Sequence, residues 1–297
     1  MTLSECVERW INRREISLAP STILGYRTLF RKYIQPVEVC TREVGDLDED
    51  DMIELLRPLI QAGHSRQAQL LQVLVGAVLK DLVRRRAIGW NPMDCVDRVK
   101  HHAKFRAWLT EEQARALLRS SREAGDVYYI AWVLMLCCGL RRGEMLGLRW
   151  EDVDFDRQEL RIERQRLRVE RRIIETTPKS AASVRVIPLE EPIITELRLQ
   201  RRRGKYIIDS TPEQMSAALD AAVRRAGVPR VTPHGLRHTM AATAASEGVT
   251  IKTLQTILGH AHYSVTADVY AHCNDQARRS AAHVVAWATL PARLEIV

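Results

Sequence analysis

Apolar side chains repeat at helical spacing along most of the 297-residue chain, and the repeat changes to alternation in one region. Between Glu159 and Leu189 the segments LRIER, RIIETT and VRVIPL alternate and are rich in Ile and Val. Alternation puts successive side chains on opposite faces of a strand, whereas a three- and four-residue repeat marks one face of a helix. The sequence therefore predicts a mainly α-helical protein with one small antiparallel β-sheet, and it puts TPKS (177–180) in the turn between the second and third strands.

Helix-start and helix-stop residues divide the remaining chain into helices. Thr110, followed three residues later by Gln113, has the pattern of a capping box that satisfies the free N–H groups of a first turn. Gly139 follows an apolar helix and is a typical helix end, because glycine adopts left-handed backbone without strain. Besides a helical N-terminus, the predicted helices cover residues 17–34, 48–60, 65–87, 110–121, 126–138, 191–202, 212–226, 233–247, 251–258, 264–272 and 275–288.

A polar, basic stretch from Val99 to Arg106 has almost no large apolar residue, which is typical of a linker. We therefore predict two domains, each long enough to bury its own core. The first, residues 1–100, is a small helical bundle. Residues 101–107 are the linker, and residues 108–297 form a second, mixed α/β domain.

The net charge favours an anionic partner. The chain carries a formal charge of +8 and has a pI of about 9.4. The excess of basic over acidic residues is +2 up to Lys104 and +6 beyond it. Nucleic acid is the commonest partner of such a protein, although a solvated basic surface would have the same composition.

The sequence disfavours membrane-spanning and disulfide-rich classes. The longest apolar stretch, Val127 to Leu140, is shorter than the roughly 20 residues that a bilayer requires. The N-terminus lacks the cleavage site of a signal peptide. The six cysteines contain no C-x-x-C motif, which argues against a zinc knuckle and fits a reducing compartment. We therefore expect a cytoplasmic protein.

The string Pro233–His238, with Thr232 before it as N-cap, is the most informative motif. His234 and Arg237 are three residues apart, so both project from the same face of a helix start. An imidazole and a guanidinium aimed at one point suit a phosphate oxygen. Taken alone, this spacing is more often a surface histidine beside a solvated arginine.

Two further strings contain residues that could act on a phosphate. Arg141, in GLRRGE, follows a buried helix, and Glu144 either orients it or only solvates the turn. His260 follows the helix-ending Gly259, and Tyr270 lies on the next predicted helix. A tyrosine hydroxyl has an unperturbed pKa of about 10, so a nucleophilic role needs nearby cations or hydrogen-bond donors. In isolation these are an ordinary helix end and a half-buried helix residue.

Together, the strings GLRRGE, TPKS, HGLRH, LGH and VYAH occur in the order that marks one family, and the chain resembles the tyrosine recombinases or phage integrases. The resemblance covers the chain from about Trp108 to its end. The first domain is more loosely similar to the family's helical core-binding (SAM-like) DNA-binding domain. Five separate elements in order are far more specific than any one of them. The resemblance implies a site-specific DNA recombinase.

The resemblance also implies a nucleophile, a general acid and a set of phosphate-binding residues. Tyr270 would become linked to the DNA 3′ phosphate, and Lys179 would protonate the departing 5′ oxygen. Lys205 is a nearby basic alternative that lies outside the turn. Because a phosphotyrosine bond conserves the energy of the broken linkage, no cofactor and no metal is implied. The phosphate-binding residues would be Arg141, His234, Arg237 and His260.

The implied partner is double-stranded DNA with a specific core site, held in a clamp between the bundle and the catalytic domain. The enzyme would act at the nucleoid as a homotetramer on DNA, with an accessory DNA-bending protein and no membrane partner. A C-terminal segment bearing Val284, Val285 and Trp287 would dock on a neighbouring subunit. The basic residues that we assign to DNA binding are Arg84, Arg85, Arg86, Lys104 and Arg106.

Three other functions stay open. A Xer-type resolvase of chromosome or plasmid dimers has a similar length, but DVYAH and the loosely matching first domain favour a mobile-element integrase. A repressor or architectural factor would bind DNA without requiring the six residues of the catalytic set. A type IB topoisomerase shares the chemistry but usually has a larger clamp, and it would relax any supercoiled plasmid.

Overall fold

The computed structural model describes residues 1–101, 108–169, 172–178, 183–200 and 204–259. The chain divides into two compact units, Met1–Phe105 and Arg106–Val297, and each has its own core of buried apolar side chains. The predicted helices 264–272 and 275–288 lie outside the described residues, as does the predicted linker apart from His101.

The first unit is a helical bundle. Its helices are α1 (Leu3–Arg14), α2 (Pro20–Tyr33), α3 (Glu49–Gln61) and α4 (Ser65–Arg84). Thr2 and Asp48 form capping boxes at the starts of α1 and α3. The predicted helices are confirmed. α4 ends at Arg84 rather than at Ala87, and Arg86 beyond it adopts a left-handed backbone with φ of 57°.

The second unit is built around α6, a helix in which only Cys137 is exposed. Its helices are α5 (Glu111–Glu123), α6 (Tyr129–Cys138), α7 (Arg142–Gly147), α8 (Glu191–Gln200), α9 (Pro212–Ala226), α10 (Pro233–Ser246) and α11 (Ile251–Leu258). α6 packs against α5, α7, α8 and α10. All of these helices except the short α7 were predicted. Within the described ranges, no helix combines the length and the apolar character needed to cross a membrane.

The described part of the second unit also contains two small antiparallel sheets. The strands are β1 (Val153–Asp154), β2 (Glu159–Ile162), β3 (Gln165–Val169), β4 (Arg172–Thr176) and β5 (Arg185–Pro188). One sheet has the order β1-β2-β5, and the other is a β3-β4 pair. The predicted fold class, mainly α-helical with small antiparallel β-structure, is confirmed, but the strands form two sheets where one was predicted.

The strand pairing differs from the predicted one. The segment RIIET is β4 and pairs with β3, which was not predicted, while VRVIPL contains β5 and pairs with β2. β4 and β5, the strands that flank TPKS in the sequence, belong to different sheets, so the predicted pairing of these two strands is wrong. The reason is tertiary packing: β3 is polar, but it lies against α7, where a Cβ atom at Gly147 would be only 3.0 Å from Cα of Gln165. Close backbone approach at a glycine holds a strand that alternation alone does not reveal.

Candidate active site

Arg141 lies at the junction between α6 and α7. α6 ends at Gly139, whose left-handed backbone (φ 62°) turns the chain, and Arg141 is the N-cap residue of α7. A Cβ atom at Gly139 would lie 2.6 Å from Cδ2 of Leu258, so the turn needs glycine for space as well as for conformation. Because α7 begins so soon after the buried α6, Arg141 is held on rigid backbone.

Arg237 lies inside the second unit, in the second turn of α10, with 2% of its surface exposed. Its Nη1 donates to the carbonyl oxygen of Gly139 at 2.6 Å, and its Nη2 donates to that of Leu258 at 2.5 Å. These carbonyls lie at the C-terminal ends of α6 and α11. A helix C-terminus carries partial negative charge, so both ends stabilise the guanidinium cation.

The same end of α11 also binds Arg141. Nη2 of Arg141 donates to the carbonyl oxygen of Gly259 at 2.8 Å, and Gly259 ends α11 with a φ of 63°. Two arginines that are distant in the sequence therefore bind adjacent carbonyl groups, those of Leu258 and Gly259. The structure thus brings Arg141 and Arg237 together at the end of α11. The residue that follows Gly259 in the chain is His260.

Glu144 lies between these arginines, and its side chain is 1% exposed. The carboxylate accepts hydrogen bonds from the backbone N–H of Arg141 at 2.9 Å and from its Nη1 at 2.6 Å. Nη1 of Arg237 lies 3.9 Å from Oε2 of Glu144. A buried carboxylate with these contacts orients Arg141, and the solvating role that the sequence left open is wrong.

Arg185, the first residue of β5, is a third arginine in this cluster, and sequence reasoning missed it. Its Nη1 and Nη2 donate to the two carboxylate oxygens of Glu144 at 3.2 and 3.0 Å, and its side chain is 7% exposed. A signal was present in VRVIPL: Arg185 and Ile187 occupy the same face of the strand, and Ile187 is buried while Val186 is half exposed. An arginine at an inward-facing strand position needs a buried partner.

The cluster contains three guanidinium groups and one carboxylate. Burial favours the neutral form of Glu144, but hydrogen bonds and charges from Arg185 and Arg141 outweigh it and lower its pKa. Burial, together with the charge of Arg141 and, more weakly, that of Arg185, lowers the pKa of Arg237 to about 9, although Glu144 opposes this shift. Arg237 is therefore still a cation at neutral pH. The excess of buried positive charge favours an anion such as phosphate.

Arg237 also keeps hydrogen-bonding capacity. In the described part of the chain, its buried Nε has no hydrogen-bond partner. A guanidinium carries five N–H donors in a planar fork, and the two bonds to Gly139 and Leu258 use only part of that set. Such a fork matches the oxygens of a phosphate.

His234 lies in the first turn of α10, one turn before Arg237. Thr232 is the N-cap and accepts a hydrogen bond from the backbone N–H of Gly235 at 3.1 Å, so the predicted helix start is confirmed. The ring of His234 contacts that of His238 edge-on, with 4.6 Å between ring centroids. The helix thus fixes His234 and Arg237 relative to each other.

Several predicted site residues lie beyond the described ranges, and their roles stay predictions. They are Lys179, His260 and Tyr270 of the catalytic set, and Lys104 and Arg106 of the DNA-binding set.

Arg84 and Arg85, predicted to bind DNA, lie at the end of α4 in the first unit. Both pair with Asp81, at 2.5 and 2.7 Å; the side chain of Asp81 is 4% exposed, whereas those of Arg84 and Arg85 are 70% and 48% exposed. Together with Arg13 and Arg14 of α1 they line a pocket of about 260 Å³. The pocket presents four guanidinium groups that a single buried carboxylate does not neutralise.

Comparison with known proteins identifies the family of this chain. The model of the phage integrase family matches residues 107–277. A tyrosine recombinase XerC-like protein of Caldanaerobacter subterraneus subsp. tengcongensis is 25% identical over 315 residues, covering 92% of this chain and 79% of its own. The transposase of transposon Tn916 from Enterococcus faecalis is 30% identical over 193 residues, covering 55% of this chain and 47% of its own. The structure of the Tn1549 transposon integrase with transposon right end DNA has a TM-score of 0.84 and 22% identity over 96% of this chain and 100% of its own, which concerns the fold.

The match to the family model spans more than half of the chain, and the chain belongs to the phage integrase family. It is a tyrosine recombinase, an enzyme that cleaves and rejoins DNA at specific sites, and DNA is its partner. The family and the enzyme class predicted from the five strings are confirmed.

Proposed function

We propose that this protein is the integrase of a phage or other mobile element, and that it integrates and excises DNA through a covalent 3′-phosphotyrosine intermediate. The observation that carries the proposal is the pair of arginines at the end of α11. Arg141 and Arg237 bind adjacent carbonyl groups and share Glu144, and the next residue in the chain is His260.

In the proposed reaction, Oη of Tyr270 attacks the phosphorus and passes its proton to His234, the bond to the 5′ oxygen breaks, and Lys179 supplies the proton to that oxygen. Arg141 and Arg237 neutralise the charge that builds on the non-bridging oxygens as the phosphorus becomes five-coordinate. The imidazoles of His234 and His260 donate further hydrogen bonds to the phosphate. Attack by a new 5′ hydroxyl reverses the steps, so the number of phosphodiester bonds is conserved and no energy source is consumed.

The first unit would serve as the DNA-binding domain, spanning residues 1–100 and joined by the linker 101–107 to a catalytic domain of residues 108–297. Its arginine-lined pocket supports this assignment, because guanidinium groups bind backbone phosphates. Strand exchange between two duplexes requires four cleavages. We therefore infer a homotetramer on DNA at the nucleoid, assisted by a DNA-bending protein.

A Xer-type dimer resolvase is the second candidate. The XerC-like relative matches 92% of this chain and the transposon relative matches 55%, and this coverage favours the resolvase. Their sequence identities, 25% and 30%, favour the mobile-element integrase instead. The two functions differ in substrate. An integrase cleaves a site in the DNA that flanks its own gene, and a resolvase cleaves a chromosomal or plasmid dimer-resolution site.

The deciding experiment uses nicked suicide substrates made from the DNA that flanks the gene. The protein should form a covalent adduct with one of them, and Tyr270→Phe should abolish the adduct while its gel shift is retained. Tyr206→Phe is the matched control: Tyr206 donates to Glu175 at 2.9 Å, and its loss should leave the adduct in place. An adduct formed by Tyr270→Phe would refute the assigned nucleophile, and cleavage of dimer-resolution sites alone would favour the resolvase.

A further inference from the structure

Arg185 is a buried cation whose hydrogen bonds are all made inside the protein. Besides the two bonds to Glu144, its Nε donates to the carbonyl oxygen of Ile257 at 2.7 Å, and its Nη1 donates to that of Ser183 at 3.0 Å. All three nitrogens of the guanidinium are therefore engaged. Its four hydrogen bonds inside the protein use most of its donors, whereas Nε of Arg237 has no partner among the described residues.

The partners of Arg185 are the groups that hold the other two arginines. Glu144 accepts from Arg141 at 2.6 Å and lies 3.9 Å from Arg237. Ile257 belongs to the last turn of α11, and the next two carbonyls in that turn accept from Arg237 and Arg141. The side chain of Arg185 thus bonds both α7, through Glu144, and the end of α11, through Ile257.

Stability alone is a poor reason for an arginine at this position. Ile187, on the same face of β5, is buried in the core, and an apolar residue at position 185 would continue that face. Burying an ion pair is often no better for stability than well-packed apolar side chains of similar volume. A third cation close to two others adds repulsion as well. An arginine that is unfavourable by these measures is expected where its geometry serves the site.

We propose that Arg185 is a positioning residue for DNA cleavage: by fixing Glu144 and the last turn of α11, it orients Arg141 and Arg237 towards the scissile phosphate. The inference rests on the proposed role of those two arginines. It predicts that loss of Arg185 lowers the rate of cleavage by bound enzyme and leaves DNA affinity nearly unchanged, because the side chain of Arg185 is buried and makes its hydrogen bonds inside the protein.

The test compares Arg185→Met and Arg185→Lys on two suicide substrates, one with an ordinary scissile phosphate and one with a neutral methylphosphonate at that position. Single-turnover cleavage is measured with enzyme in saturating excess. On phosphate, Arg185→Met should be slower by on the order of 10- to 100-fold, the effect of misplacing a group by about 1 Å. On methylphosphonate the defect should shrink several-fold, because less charge has to be neutralised by correctly placed arginines. Arg185→Lys, which keeps the charge but loses the fork, should show the same substrate pattern.

Arg164→Met is the matched control. Arg164 pairs with the buried Asp152 at 2.5 Å in the same unit but has no described contact with Glu144 or α11. Any slowing of this variant should be equal on the two substrates. The proposal would be overturned if Arg185→Met and Arg185→Lys each slowed cleavage of the methylphosphonate as much as cleavage of the phosphate. Unchanged rates on the phosphate substrate would also overturn it. Should Arg185→Met not fold, as judged by circular dichroism, the lysine variant decides. Failure of the unsubstituted protein to form any adduct would instead count against the proposed function.

Discussion

The two units of this protein use arginine in opposite ways. At the end of α4, Arg84 and Arg85 share the buried carboxylate of Asp81 and leave most of their own surface in water. In the second unit Arg185 and Arg237 are themselves buried, with side chains 7% and 2% exposed around Glu144. One carboxylate organises each cluster, but the cations lie at the surface in the first unit, whereas in the second two of the three are buried and the side chain of Arg141 is 32% exposed.

The difference teaches what each cluster can do. Exposed cations interact with phosphates through water and salt, so they contribute affinity that falls steeply with ionic strength. Buried cations are screened less and cannot change rotamer freely, so they are suited to charge that appears only during a reaction. The first unit is therefore expected to control how tightly DNA is held, and the second how quickly it is cut.

The largest effect should follow from Arg237→Lys. The guanidinium of Arg237 bonds the carbonyl groups of Gly139 and Leu258 and still has donors left for a phosphate. A lysine keeps the charge but does not have enough donors in this geometry to do both. Cleavage by bound enzyme should fall by roughly 10²- to 10³-fold, the loss typical of a donor to a developing oxyanion. Single-turnover rates and gel shifts measure the two properties separately. A comparable loss of DNA affinity would contradict the expectation that the second unit controls the cleavage rate and the first unit controls DNA affinity.

A large effect on stability should follow from Glu144→Gln, which leaves buried arginines without a counter-ion. Breaking a buried pair in this way costs about 3–5 kcal/mol, measurable by urea unfolding at pH 7. Because the pKa of Glu144 is lowered in the folded protein, its contribution is present above the unfolded-state pKa and is lost as pH falls through the lower folded-state value.

The difference in free energy of unfolding between the unsubstituted protein and Glu144→Gln should therefore become smaller as the pH falls. Glu151→Gln is the control, since Glu151 pairs with Arg149 at 2.8 Å but its side chain is 66% exposed. This control should have a much smaller effect. A difference in free energy of unfolding that grows at acid pH would contradict the role of Glu144 as an ionised partner of the arginines.

The smallest effect should follow from Arg84→Gln with Arg85→Gln. Affinity should fall several-fold, and the slope of log K against log salt should become shallower by about 1–2, as expected for the loss of one or two phosphate contacts. The cleavage rate at saturating enzyme should not change. Arg122→Gln with Arg198→Gln removes two exposed arginines, paired with Glu196 at 3.1 Å and Glu191 at 3.5 Å; it is the charge-matched comparison and should alter neither quantity. An equal change of slope in both variants would mean that net charge alone matters.

The sequence predicted the helices well because their signals are local. The caps Thr110 and Thr232 and the terminators Gly139 and Gly259 all act within a few residues of where they stand. The strand β3 was not predicted, because contact with α7 holds it rather than its own alternation.

The candidate site divides in the same way. Arg141 and Arg237 lie in strings with a recognisable order, so a resemblance could find them. Arg185 lies in no such string, and its role depends on contacts with Glu144 and Ile257, 41 and 72 residues away. Pattern reasoning has no access to partners at that separation, except through the inward-facing position on β5.

The carbonyl groups that hold the two arginines have a consequence for synthesis of the enzyme. Arg141 is bound by a residue translated 118 positions later, and Arg237 by one translated 98 positions earlier. A nascent or truncated polypeptide that stops before α11 carries both arginines but lacks the acceptors at Leu258 and Gly259. Such a fragment has no means of presenting a formed phosphate clamp. The arginine pair is therefore completed only after translation has passed Gly259, and the proposed nucleophile, Tyr270, follows 11 positions later.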